Sequence, residues 1–170
     1  MKNSIVSTFY FLLFTFYLAG TANAEHAAIK LRVFRVEAES GKTLDEANVV
    51  ADEEPPAGGI NPRPVFKAKC NDALVMQFIL TNAYPHGELK DVTVRYFVAR
   101  IDKVGQKKLP DLQKGTITEG RFNLNLKPKA RVGARVAFTI REPGVYLLRV
   151  HTINTKSDHE HISAIDLLVE

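Results

Sequence analysis

The chain has 170 residues, with 23 Lys and Arg against 19 Asp and Glu for a net charge of +4, one cysteine and no tryptophan. That length suits a single domain with a core of its own, and one cysteine rules out an internal disulfide. So weak a basic balance argues against nucleic-acid binding, which calls for a concentrated cationic patch.

Residues 1–24, "MKNSIVSTFYFLLFTFYLAGTANA", place Lys2 ahead of an apolar run from Phe9 to Ala19 and end in small residues at Ala22 and Ala24. This is the layout of a secretory signal peptide cleaved after Ala24. The run falls short of the ~20 apolar residues that a membrane-spanning helix needs. Cys70 lies far from the cleavage point, so it is not the lipid-bearing cysteine of a lipoprotein. The expectation is a secreted or periplasmic domain over 25–170 with no membrane span, in which Cys70 packs as an inert thiol or joins an intermolecular disulfide.

Period-two alternation governs the rest of the chain and predicts half-buried strands. "AIKLRVFRVEA" puts Ile29, Leu31 and Val33 on one face and Phe34 and Val36 on the other, a phase change that suggests a bulge or a strand switching sheets. Residues 39–64 break the pattern. Thr43 and Glu46 form a candidate capping box for a short helix over 44–50. The acidic, proline-rich remainder of that segment reads as a long connection. "DALVMQFILTN" then sets Leu74, Met76, Phe78 and Leu80 toward a core, and Pro85 and Gly87 supply turn chemistry before Val92, Val94, Tyr96 and Val98. "RFNLNLK", "ARVAFTI", "VYLLRVHTIN" and "HEHISAIDLLV" complete about seven strands, the number and spacing of an all-β, antiparallel immunoglobulin-like sandwich.

Two stretches carry a resemblance. "REPGVYLLRVHT" resembles the corner and following strand of immunoglobulin-like domains, which implies that the Tyr146 hydroxyl bonds back to the chain and that Leu148 fills the place of the second cysteine. The antibody Cys–Trp–Cys set is absent. "DALVMQFILTNAYPHGELKDVTVRYFVARID", with a strand ending at Asn82, resembles the central hairpin of bacterial extracellular modules of the cell-adhesion-related (CARDB) type, over roughly residues 73–169. The resemblance implies a non-enzymatic spacer, adhesion or accessory-binding role by analogy of fold.

The chemistry on offer is sparse. His159 and His161 in "HEH" lie two apart on a strand, about 6.6 Å along one face, and a hairpin near Lys156 would bring His151 opposite. Three imidazoles would suit zinc or copper. Inward Leu148 and Val150 send His151 outward, however, while strict alternation sends His161 inward with Ile165 and Leu167. The metal reading therefore needs a bulge at Ser163 and Ala164. His26 and His86 stand apart. Neither the serines nor Cys70 sits in a nucleophile motif, and "AGGI" leads into prolines rather than a phosphate-cradling helix, so no enzyme is expected. The sequence thus predicts a secreted or periplasmic binding or accessory module. Its partner would be a protein or an envelope polysaccharide rather than nucleic acid, and the alternative is a metal-binding protein using His151, His159 and His161.

Overall fold

The computed structural model describes residues 27–51, 63–84, 86–153 and 160–170. The expected signal peptide lies outside them, as do most of the acidic connection and His159. The described residues contain no helix and nine strands: β1 (Ala27–Val36), β2 (Thr43–Ala51), β3 (Val65–Ala68), β4 (Ala73–Asn82), β5 (Leu89–Ile101), β6 (Thr116–Leu126), β7 (Arg131–Phe138), β8 (Gly144–Ile153) and β9 (Glu160–Val169). Two sheets face each other, one ordered β2-β1-β4-β7 and the other β3-β9-β8-β5-β6. The chain is an all-β, immunoglobulin-like sandwich.

Alternation builds the core. β4 alternates without interruption, burying Leu74, Met76, Phe78 and Leu80. From the facing sheet come Val94, Val98, Leu148, Val150, Ile165 and Leu167, all buried in the same cluster. Burying a side chain of this size contributes roughly 1.5–3 kcal/mol, so the interleaved rows hold the sheets together without a disulfide. Phe78 reaches Tyr96 with ring centroids 5.5 Å apart and Phe122 at 6.3 Å. Gly120, paired opposite Tyr96, leaves room for that ring: a Cβ there would meet it at 2.4 Å.

Three expectations need correction. The strands number nine among the described residues rather than about seven, because the segment 39–64 contributes one and the short β3 follows it. The helix expected over 44–50 is strand β2, paired antiparallel with β1 from Ile29↔Ala51 to Val36↔Thr43. A capping box is a local preference, whereas this pairing satisfies a whole row of backbone groups on β1 and adds the cross-strand ion pairs Arg32–Glu46 and Arg35–Asp45. The sandwich is also not wholly antiparallel, since β3 runs parallel to β9.

The phase change in β1 does not move the strand between sheets. Phe34 lies on the outer face yet is only 7% exposed, with the Arg32 guanidinium 5.6 Å from its ring centroid. The irregularity falls between Arg35 and Val36 in the pairing with β2.

Two polar devices fix the connections. Asn82 is buried, and its amide nitrogen donates to the carbonyls of Gly87 and Leu126, both at 2.9 Å, and Lys127 at 3.1 Å. Its oxygen accepts from the Tyr84 N–H at 2.7 Å. One side chain thereby ties the end of β4 to the following turn and to the end of β6. On the outer face of the other sheet, Asp166 is fully buried and accepts from Arg63 Nε at 2.8 Å and the Gly105 N–H at 2.6 Å. Arg63 in turn donates to the Gln106 carbonyl at 2.8 Å. The β5–β6 connection and the approach to β3 are thus clasped to the middle of β9.

Candidate functional site

The histidines come first, because the sequence singled them out. β8 and β9 pair in unbroken register, with His151 opposite Ile162 and Thr152 opposite His161. Consecutive pairs face opposite sides of a sheet. His161 accordingly points inward beside Ser163 and is 4% exposed, while His151 lies half-buried on the outer face. The bulge at Ser163 and Ala164 that would have aligned them does not occur. His26 and His159 lie outside the described residues, and His86 is exposed in the turn before β5. Among the described residues no group of three His, Cys, Asp or Glu is placed to hold a metal ion.

A different cluster emerges from the register of β5. On the outer face of the five-stranded sheet, Arg95 stands directly opposite Arg121 of β6 on one side and His151 of β8 on the other. Two residues along, Phe97 sits between Glu119 and Arg149. In the other direction the Thr93 hydroxyl donates to Asn123 Oδ1 at 3.0 Å. Arg95, Arg121 and Glu119 are exposed and Phe97 is half-buried.

Ion pairing separates these arginines from four others, and their direct opposition across two strands separates them from Arg131, Arg135 and Arg141. Arg32, Arg35, Arg63 and Arg100 each hold a carboxylate. Neither Arg95 nor Arg121 has an ion pair among the described residues. Like charges directly opposed across two strands cost a few tenths to about 1 kcal/mol, so the Arg95–Arg121 juxtaposition is a local loss in the isolated molecule. The sequence did not reveal it, because the opposition of Arg95 to Arg121 depends on a β5–β6 pairing with two register shifts.

A concavity of about 350 Å³ opens at one end of the sandwich, lined by residues that include Arg100, Thr116, Ile117, Thr139, Arg141 and Tyr146. Arg100 is already engaged there by Glu142 at 2.8 Å and by the Pro143 carbonyl at 3.3 Å. It runs past Gly115 and Gly144, both at positive φ, where an added Cβ would approach it to 3.1 and 3.3 Å. Tyr146 forms the wall of this opening, and its hydroxyl donates to the Glu142 carbonyl at 3.0 Å. This is the corner bond that the resemblance implied. Burial raises the pKa of that hydroxyl, assisted by the nearby Glu142 carboxylate and opposed by Arg100.

No protein-family model and no curated protein matches the chain. Solved structures do match. The soluble domain of PmoD from Methylocystis sp. is 13% identical with a TM-score of 0.47, over 84% of this chain and 90% of that one. The CARDB domain of the PF1109 protein from Pyrococcus furiosus, solved in complex with di-metal ions, is 11% identical with a TM-score of 0.43, over 65% of this chain and 83% of that one. A family 123 glycoside hydrolase from Clostridium perfringens is 10% identical with a TM-score of 0.41, over 63% of this chain but only 23% of that one.

Proposed function

We propose that the chain is an exported, non-catalytic binding or accessory module, secreted or periplasmic, whose docking surface is the outer face of the five-stranded sheet around Arg95, Phe97 and Arg121. One observation carries the reading: two exposed arginines are held face to face without carboxylate partners among the described residues, beside a half-buried aromatic ring. A cost of this kind in the free molecule is recovered when an anionic or polar partner settles between the charges. The leader-like first 24 residues support an address outside the cytoplasm, and a rigid sheet is a sound platform for a precise surface.

The test places a photo-crosslinking residue at position 121 and, as a control, at position 135 on the outer face of the opposite sheet, in the cell that makes the protein. The expected result is a processed chain beginning at Glu25, with an envelope adduct formed from 121 and none from 135. Retention in the cytoplasm with the leader intact overturns the export reading, and adducts from 135 alone overturn the assigned surface.

A further inference from the structure

We propose that the ligand of this face is an anionic polysaccharide whose carboxylates lie along the Arg121–Arg95 row and whose sugar rings pack on Phe97. The proposal rests on the binding reading above and names the chemistry that the surface would recognise.

Guanidinium groups present planar, forked donors that take a carboxylate through two parallel hydrogen bonds. Arg95 and Arg121 occupy directly opposed positions on neighbouring strands, roughly 4.8 Å apart in the pairing direction. They therefore offer two forked cationic sites side by side on one face. An anion seated between them removes the repulsion that the free protein carries. Phe97, two residues along β5 on the same face, supplies a half-buried apolar surface for the C–H face of a pyranose ring.

The rest of the surface suits hydroxyl groups better than dense charge. Glu119 and Arg149 flank Phe97, and the Glu119 carboxylate accepts hydrogen bonds of the kind that sugar hydroxyls donate. Thr93 and Asn123 add neutral donors and acceptors on the other side of the arginine row. A single-stranded nucleic acid would call for several stacking rings and a broad cationic track. Phe97 is the one phenyl ring on this face among the described residues, with only the His151 imidazole besides, and the chain's net charge is only +4. An exported chain also meets glycans rather than nucleic acid.

The experiment is titration calorimetry of the processed chain with polygalacturonate, with neutral dextran and with a single-stranded oligonucleotide, using three variants. These are R95Q/R121Q, F97A, and R131Q/R135Q, which removes the same charge from the opposite sheet. Polygalacturonate is expected to bind the parent protein, about tenfold or more weakly after R95Q/R121Q, several-fold more weakly after F97A, and nearly unchanged after R131Q/R135Q. R95Q/R121Q is expected to melt no lower than the parent, because it removes a repulsion. Four results overturn the proposal: no polygalacturonate binding, equal binding of dextran, equal loss in R131Q/R135Q, or tighter oligonucleotide binding with the same arginine dependence. A lower melt for R95Q/R121Q overturns it as well, since the arginines would then be structural. If polygalacturonate fails while position 121 still crosslinks a partner, only the choice of ligand falls. Silence in both experiments removes the binding surface itself.

Discussion

Tyr146 shows how much a single atom can organise at the rim of a sandwich. Its ring closes one end of the core and is 2% exposed, while its hydroxyl reaches back four residues to the Glu142 carbonyl. Replacing Tyr146 by Phe keeps the ring and deletes that bond, at an expected cost of about 0.5–1.5 kcal/mol at neutral pH. The pH dependence has a definite sign. Burial favours the neutral hydroxyl, so its pKa in the fold lies above the ordinary tyrosine value. The associated stability is complete below that ordinary value and is lost as pH rises through the folded one. Denaturant midpoints measured from about pH 8 to about pH 11 should converge between parent and Tyr146→Phe toward the alkaline end. Midpoints that stay parallel would show that the hydroxyl is not shielded. The corner could be recognised in the sequence because all its parts, an acid, a proline, a glycine and the tyrosine, are local. Asn82 was legible only as a strand end, since three of its partners lie on the far side of a turn or on another strand.

At the scale of strands, periodicity was readable and partnership was not. β4 declares itself through four apolar residues at every second position. β2 does not, because Thr43 and Glu46 satisfy a helix-start pattern and only the presence of β1 alongside makes the extended form better. The same division explains the histidines. Alternation from Ile165 and Leu167 places His161 inward, and the unbroken β8–β9 register keeps it there, away from His151. No single ion can then use both. Any zinc or copper retained in equilibrium dialysis at micromolar concentration is expected to respond to alanine at His151 or at His161, but not at both. A site abolished equally by each substitution would require a register shift that the hairpin does not contain. The Arg95–Arg121 row belongs to this scale too: two register shifts along β5 and β6 stand between the sequence and that juxtaposition.

For the molecule as a whole, the sandwich class follows from composition and alternation, whereas the way its layers are fastened does not. Among the described residues no helix is long and apolar enough to cross a membrane, and the fastening between distant segments is polar. Asp166 was hidden in "AIDLLV" because a carboxylate among apolar residues reads as solvent-facing, and its cover comes from Arg63 and the Gly105 backbone, remote in the chain. The clasp has a consequence for time rather than geometry. Arg63 and Asp166 are 103 residues apart in sequence, and they meet only once β9 is in place and the β5–β6 connection has folded over it. Contacts of that kind form after the folding barrier has been crossed, so their strength appears in the rate of escape from the native state. Asp166→Ala is expected to cost about 3 kcal/mol, since it strands a partly buried guanidinium. Stopped-flow measurements should show nearly unchanged refolding and unfolding faster by about a hundredfold. Slowed refolding would mean that the clasp closes early. With no internal disulfide to lock it, a sandwich fastened in this way resists proteases for as long as that clasp stays shut.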